Sequence, residues 1–342
     1  MPIVLSHETA LAFWELPAVA SADAAAYRPL KAPETEALLQ EPVSREDAAT
    51  LATLLAAPPL SQLPRPVSLL TGLRASRRVT RLAHVRCMQA ALPAGALLEL
   101  GVTPAAASPI RSADVAEATR VHVCSPELVF VQMTAQLDDW ELAALGFELC
   151  GTWARAVPDS PGTLATPLST PDKLLSFAQA ADNMTGAKRA RRLARYVLPG
   201  ARSHEEALIA LLSCLPRALG GMGAKPAVLG AQIEAPDVVA RIVGSRTLMP
   251  DLYWPEGNIA LEYDHRLWQD DERWGAYERR KRNAYALMGI ELVSLRRDDL
   301  SFPDTVRAAF ERINRKTGKR LKPANEKQRA QQDALLAWLR ER

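Results

Sequence analysis

The apolar positions after residue 200 follow first a helical and then a strand spacing. Leucines recur every three or four residues in the stretch 203–215, and Ser203 precedes its first turn, which predicts a helix with a serine N-cap. Short strand-like runs follow, then a charged helical stretch over about residues 271–288, the strand-like run IELVSL and a helix from about Pro303. This order of helix, three strands, helix and strand predicts a mixed α/β domain.

The first 199 residues show a less regular pattern that predicts a mixed α+β region. Ser6 is placed to cap a short helix, and helical pieces between residues 21 and 66 are interrupted by prolines. The run Val121–Cys124 predicts a strand, and the Ser-Pro-Glu that follows predicts a helix with proline at its first position. Two further helices are predicted by the stretches STPDKLLSFAQAA and GAKRARRLARYVL.

These patterns divide the chain into two domains. We predict an N-terminal region over residues 1–199 and a C-terminal α/β domain over residues 200–342 that ends in a basic helical tail. A chain of 342 residues is long enough for each part to bury its own hydrophobic core.

The composition is that of an ordinary globular protein. Hydrophobic residues make up 48% of the chain and charged residues 24%, and no stretch reaches the roughly 20 apolar residues that span a bilayer. The first eleven residues lack the basic and apolar segments of a signal peptide, and the four cysteines include no CxxC pair. We therefore expect a cytoplasmic protein with no membrane partner.

The net charge of +3 is unevenly distributed along the chain. From His265 onward there are 19 lysines and arginines against 12 acidic residues, a surplus of +7, so the preceding 264 residues carry −4. A basic segment after an acidic cluster is typical of a protein that binds a polyanion, although a solvated helical surface has the same composition. The basic stretch AKRARRLAR leaves the same two interpretations open.

The stretch PDLYWPEGNIALEYD, residues 250–264, carries the candidate chemistry. It predicts two strands around the turn WPEGN, and side chains alternate between faces along each strand. Alternation places Ile259, Leu261 and Tyr263 on the core face and Ala260, Glu262 and Asp264 on the other face. Asp251 lies on the neighbouring strand, within reach of that polar face.

Carboxylates this close repel, and each raises the pKa of its neighbours. A hard divalent cation between them relieves the repulsion, and oxygen ligands suit Mg²⁺ or Mn²⁺. The absence of a nearby set of histidines and cysteines argues against zinc. The sequence therefore predicts a Mg²⁺ (or Mn²⁺) site at Asp251 and Glu262.

This stretch resembles the signature of the PD-(D/E)xK nuclease superfamily, in which Pro-Asp is followed after a spacer by an acidic residue, one further residue and a lysine. Pro250-Asp251 and Glu262 match it. The full stretch DLYWPEGNIALEYD most resembles a branch of the superfamily similar to the very-short-patch repair endonuclease. The later segment of that branch is matched by Lys281, Arg282, Tyr285, Gly289 and Val293. The resemblance covers residues 200 to about 300 and implies a restriction-endonuclease-like fold of helix, mixed sheet and helix. It also implies Mg²⁺-dependent hydrolysis of phosphodiester bonds.

The resemblance extends to further site residues. The branch has a glutamate on the preceding helix, and Glu206 aligns with it as a catalytic and metal-binding residue. Asp264 stands where the signature has its lysine, so it joins the acidic cluster as a further catalytic candidate. Either two metals generate the hydroxide themselves or a cation arrives from the following helix. We favour a metal site with Lys281 or Arg282 as a phosphate clamp.

The basic residues after the hairpin are the predicted contacts to nucleic acid. They are Arg279, Arg280, Lys281 and Arg282 on the charged helix, with Lys319 and Arg320 further along. In the N-terminal region, the segments LSHETAL, VHVCSPELVFVQM and ELCGTW resemble bacterial proteins that join an AbiEi-type antitoxin-like region to a nuclease-like domain. That resemblance implies a regulatory or binding region with a nucleic-acid or protein partner.

Three functions stay open at this point. The first is a metal-dependent endonuclease, with DNA favoured over RNA as its substrate, in phage defence or a toxin–antitoxin-like system. The second is a nucleic-acid-binding regulator that kept the fold and lost efficient cleavage. The third is a purely protein-binding antitoxin, which rests on the N-terminal resemblance alone. The retained acids favour the enzyme, and Asp264 in place of lysine favours the regulator.

Overall fold

The computed structural model describes residues 2–16, 19, 27–43, 51–52, 55–56, 58, 60–100, 120–153, 166–264 and 272–342. The chain forms two compact units, Met1–Asp138 with Ala154–Arg195 and Asp139–Trp153 with Tyr196–Arg342. The predicted division after residue 199 differs from this one mainly in residues 139–153, which pack with the second unit. No helix in the described ranges has the length and apolar character needed to cross a membrane.

The helices are α1 (His7–Glu15), α2 (Ala32–Leu39), α3 (Pro126–Met133), α4 (Asp139–Leu149), α5 (Pro171–Ala180), α6 (Ala187–Ala194), α7 (His204–Cys214), α8 (Asp237–Val243), α9 (Glu272–Leu287), α10 (Pro303–Lys316) and α11 (Glu326–Arg340). The strands are β1 (Pro2–Leu5), β2 (Tyr27–Pro29), β3 (Val67–Thr71), β4 (Arg78–Val79), β5 (Ala83–Cys87), β6 (Leu97–Leu100), β7 (Arg120–Cys124), β8 (Val228–Leu229), β9 (Ile233–Glu234), β10 (Thr247–Leu248), β11 (Leu252–Trp254), β12 (Ile259–Asp264) and β13 (Glu291–Arg296).

The first unit is built on a mixed sheet with the strand order β2-β6-β7-β1-β3-β5-β4. β1 runs parallel to β7 and antiparallel to β3. Trp14 on α1 donates its indole N–H to the carbonyl of Cys124 at 2.9 Å, which fixes α1 against the end of β7. Ser6 is the N-cap residue of α1, as predicted, but its hydroxyl makes no capping hydrogen bond and lies 3.0 Å from His7 Nδ1.

The second unit contains a sheet with the strand order β13-β12-β11-β8. β11 and β12 form the predicted hairpin, and Asn258 takes the left-handed conformation (φ 44°) that ends its turn. β12 and β13 are parallel and are joined through α9, because parallel neighbours need a long crossover connection. The predicted mixed α/β class is confirmed in this arrangement.

Several predicted elements are confirmed with their start signals. Ser125 caps α3 through Leu128 N–H with Pro126 at the first position, and Ser203 caps α7 through Glu206 N–H. α9, β13 and α10 lie where the periodicity predicts them. The Pro-, Ser- and Thr-rich stretch over residues 153–170 lies mostly outside the described residues.

One expectation about the hairpin is wrong. Alternation predicted a single core face in β12, but Ile259, Ala260 and Leu261 are all fully buried. Ala260 lies on the Glu262 face, and there it packs with Ala284 and Tyr285 of α9. The polar face of the hairpin is therefore covered by the crossover helix, which brings that helix's side chains to the acidic residues.

Candidate active site

The hairpin places Asp251 and Glu262 directly across from each other. Leu252 pairs with Leu261 and Tyr253 with Ala260, so the next pair outward is Asp251 with Glu262. Residues directly opposed on antiparallel strands point to the same face of the sheet. The two predicted metal ligands therefore share one face, at the end of β12 where α9 follows.

Asp251 is partly buried, and its carboxylate has one backbone donor and one nearby guanidinium. Its Oδ2 accepts the Tyr263 N–H at 2.8 Å, and the Arg202 guanidinium lies 3.8 Å from its Oδ1. Burial raises the pKa of Asp251 to about 6, and the neighbouring Glu206 carboxylate adds to the rise against the opposing effects of Tyr263 and Arg202. Because its charged form is destabilised in this way, the Asp251 carboxylate would be stabilised by a nearby cation.

Glu262 is oriented by two donors from α9. Lys281 Nζ lies 2.7 Å from its Oε2, and the Tyr285 hydroxyl donates to its Oε1 at 3.0 Å. Burial raises the pKa of Glu262, and the charge of Asp251 raises it further. The charge of Lys281 lowers this pKa but does not cancel the rise. The two donors therefore hold a carboxylate that would otherwise be costly to keep ionised.

Lys281 brings a positive charge to Glu262 from a helix instead of a strand. Burial lowers the pKa of this lysine, but the Glu262 carboxylate more than offsets that effect and leaves the pKa above its ordinary value. The ammonium also lies 5.9 Å from the centre of the Tyr277 ring. Lys281 is therefore protonated at neutral pH and acts as a cation.

Glu206 is brought close to the site, but its contacts are those of a supporting residue. Its side chain is 3% exposed, and its Oε2 accepts the backbone N–H of Arg202 at 2.8 Å and the Arg202 Nε at 3.3 Å. Its Oε1 accepts the Gly230 N–H at 3.3 Å. Both oxygens are engaged in tying the start of α7 to the segment after β8, so the predicted role as a metal ligand stays a prediction.

Asp264 lies two residues beyond Glu262 on the same face of β12. Its backbone pairs in register with Arg296 of β13, and its charge contributes to the raised pKa of Glu278, where burial is the larger cause. The strand therefore places an acid where the signature has a lysine. Its predicted catalytic role stays a prediction.

The predicted contacts to nucleic acid fall into two groups. Arg279, Arg280 and Arg282 are exposed on α9 beside Lys281, where they can meet a phosphate backbone. Lys319 is half-buried and donates to the carbonyl of Ala224 at 3.3 Å, and burial followed by the charge of Lys225 lowers its pKa. Lys319 and Arg320 form the second group, and Arg320 is exposed.

The donor set fits a magnesium ion held by two carboxylates. Across the described residues, no group of three or more His, Cys, Asp and Glu side chains is arranged to hold a metal ion. The predicted role of Glu206 as a third ligand beside Asp251 and Glu262 therefore stays a prediction. Mg²⁺ is commonly bound by one or two carboxylates with water and substrate phosphates completing its shell, and the destabilised pair Asp251 and Glu262 fits that requirement.

Sequence reasoning missed Arg202 as a residue of the site and, although it matched Tyr285 to the motif, gave that tyrosine no role there. Arg202 contacts Glu206, the Pro250 carbonyl and Asp251, and Tyr285 orients Glu262. The available signal was spacing on a helix or at its start, since Arg202 precedes Glu206 by four residues and Tyr285 follows Lys281 by four. Their contacts with Asp251 and Glu262 become visible only once the pairing of β11 with β12 is known.

Comparisons of the chain with family models, with curated proteins and with solved structures find no match.

Proposed function

We propose that the chain is a metal-dependent nuclease that hydrolyses phosphodiester bonds, with its active site in the second unit. The observation that carries the proposal is the meeting of three groups at one point of the sheet. Asp251 and Glu262 face each other across a hairpin, and Lys281 reaches Glu262 from the crossover helix at 2.7 Å. Two acids and one cation beside an arginine-rich helix suit the binding and cleavage of a phosphodiester.

The proposal extends to the finer fold of the second unit. A hairpin followed by a parallel strand across α9, with α7 packed near β12, is compatible with the restriction-endonuclease-like arrangement of helix, mixed sheet and helix. The resemblance of residues 250–264 to the PD-(D/E)xK signature supports the same assignment. In this chain Lys281 on α9 takes the place of the lysine that the strand lacks at Asp264.

Each residue of the site has a proposed role. Asp251 and Glu262 would hold Mg²⁺ or Mn²⁺, which when bound lowers the pKa of a water and neutralises charge on the phosphate. Lys281 is protonated and therefore orients the water or the phosphate and does not remove a proton. Arg202 and Glu206 support Asp251, and the exposed arginines of α9 contact neighbouring phosphates.

DNA is the proposed substrate rather than RNA, because the matched motif resembles that of a DNA repair endonuclease branch. A role in phage defence or a toxin–antitoxin-like system, with a protein partner bound through the first unit, follows from the N-terminal resemblance. Both statements rest on sequence resemblance and not on the geometry of the site.

A second candidate function is a regulator that binds nucleic acid without cutting it. The observation that favours it is Asp264, which adds a negative charge where the signature has a positive one. The close pair of Lys281 and Glu262 is equally compatible with a site that has become structural.

Incubation of the full chain with supercoiled plasmid, single-stranded DNA and RNA separates these functions. Each substrate is offered with Mg²⁺, with Mn²⁺ and with a chelator, and Glu262→Gln is run beside the wild type. The nuclease proposal expects cleavage of DNA that the chelator and Glu262→Gln both abolish. Binding without cleavage under every metal condition supports the regulator. If the protein neither binds nor cleaves any of the substrates, both functions are contradicted.

A further inference from the structure

The two donors that hold Glu262 come from one helix but differ in how firmly they are themselves held. The Tyr285 hydroxyl reaches Oε1 at 3.0 Å and Lys281 Nζ reaches Oε2 at 2.7 Å. The residues are four apart on α9, so both side chains leave the same face of the helix. Each oxygen of the carboxylate therefore has its own donor.

Tyr285 is fixed by packing. Its side chain is fully buried in a cluster with Ala260, Ala284, Val239 and Ile290. A tyrosine ring enclosed in a close-packed cluster keeps one rotamer, and its hydroxyl is then held at one point. The bond to Oε1 is therefore built into the core that joins α9 to the sheet.

Lys281 is attached by a flexible stem at the border of the solvent. Its side chain is 19% exposed, and the Tyr277 ring and the Glu278 carboxylate lie near its ammonium. A lysine ammonium is a point charge on four rotatable carbons, so it can change partners without disturbing packing. Its bond to Oε2 can break while the helix stays in place.

We propose that Tyr285 is the positioning residue of Glu262 and that Lys281 is its exchangeable partner. If Glu262 took up a divalent cation, Lys281 would give up its bond to the carboxylate and Tyr285 would keep its own. Lys281 would then be free to meet the substrate phosphate or the attacking water. This inference rests on the proposed function, since it assigns the two donors to separate tasks in that site.

Calorimetric titration of the full chain with Mg²⁺ and with Mn²⁺ tests the division of tasks. Tyr285→Phe removes only the hydroxyl, and we expect the affinity for the cation to fall about 10- to 100-fold, as for other residues that orient metal ligands. Lys281→Met removes the competing charge, and we expect its affinity to be unchanged or tighter. Tyr253→Phe is the matched control, because Tyr253 packs against the same cluster on the neighbouring strand, and its affinity should equal that of the wild type.

Each result has a defined meaning. Equal affinities for Tyr285→Phe and Tyr253→Phe would show that Tyr285 only fills the core, and a weakened Lys281→Met would show that the lysine is a fixed support; either result overturns the proposal. If Tyr285→Phe does not fold, as judged by its thermal melt, the Lys281→Met titration decides alone. A wild type that binds neither cation contradicts the proposed function itself, and this inference with it.

Discussion

At the scale of single residues, the site is shaped by charges that are held out of water. Burial raises the pKa of Asp251 to about 6, and the carboxylate of Glu206 adds to the rise. The pKa of an aspartate in an unfolded chain is about 3.9, so the folded protein holds this proton more tightly. Asp251 therefore favours the folded state below about pH 4, and that contribution is lost as the pH rises through 6.

Asp251→Asn should remove this pH dependence. We expect the variant to be more stable than the wild type by about 1–3 kcal/mol at pH 8 and equally stable near pH 4, since one pKa unit corresponds to about 1.4 kcal/mol. Urea unfolding at the two pH values measures the difference. A variant that is less stable at pH 8 would identify the Asp251 carboxylate as a structural acceptor, not a strained ligand.

The same variant should lose the response to metal. At a hundredfold excess over Kd, Mg²⁺ should stabilise the wild type by about 2.7 kcal/mol and leave Asp251→Asn unchanged. Thermal melts with Mg²⁺ and with chelator show this directly. If Mg²⁺ changes the melting temperature of neither the wild type nor the variant, Asp251 is not a metal ligand.

Glu206 should behave as a supporting residue. Glu206→Ala leaves the Arg202 and Gly230 N–H groups without their acceptor, and we expect a loss of about 1–3 kcal/mol in the free energy of unfolding with the Mg²⁺ response retained. Glu205→Ala is the matched control, because it removes the neighbouring acid from the same first turn of α7. If Glu206→Ala is as stable as the wild type but is no longer stabilised by Mg²⁺, Glu206 is a metal ligand instead.

At the scale of elements, α9 connects the proposed active site to the proposed nucleic-acid-binding surface. One face carries Lys281 and Tyr285 to Glu262, and exposed positions carry Arg279, Arg280 and Arg282. Its bounds were predictable because local charge and spacing define a helix. Its contact with Glu262 was not, because that depends on which face of the sheet the crossover covers.

The exposed arginines of α9 should set the salt dependence of DNA binding. Each phosphate contact contributes about −0.9 to the slope of log K against log salt, so Arg279→Ala with Arg282→Ala should flatten that slope by about two. Fluorescence anisotropy over a series of salt concentrations measures the slope. Arg241→Ala, at an exposed position of α8 in the same unit, is the control and should leave it unchanged. An equal slope for all proteins would mean that this face is only solvated.

At the scale of the whole molecule, the division into units depends on contacts between distant segments. The strong local signals, such as Ser125-Pro126 before α3 and the leucines of α7, were sufficient to predict those helices. The seven-stranded sheet was not predicted, since strands such as β2 and β6 are short and pair across long stretches of chain. The membership of α4 in the second unit is likewise invisible in its own sequence.

A fragment that links residues 139–153 directly to residues 196–342 should therefore be more stable than one of residues 200–342. α4 packs against α7, and Trp140 donates its indole N–H to the Leu219 carbonyl at 2.7 Å. Without α4 the apolar side chains of α7 lose part of their cover, so the shorter fragment should melt at a lower temperature or without cooperativity. Circular dichroism melts compare the two, and equal melting temperatures would place the boundary at residue 199 instead.

The initial rate of plasmid cleavage in Mg²⁺ tests the central claim most directly, because it asks whether Lys281 on α9 replaces the lysine that β12 lacks. We compare the wild type, Lys281→Met and the double variant Lys281→Met with Asp264→Lys. Lys281→Met should lose about 10²- to 10³-fold in rate, as for other donors that stabilise charge in the transition state. The double variant should recover part of that loss, since residue 264 lies on the same face as Glu262. A Lys281→Met protein that cuts as fast as the wild type would contradict the account.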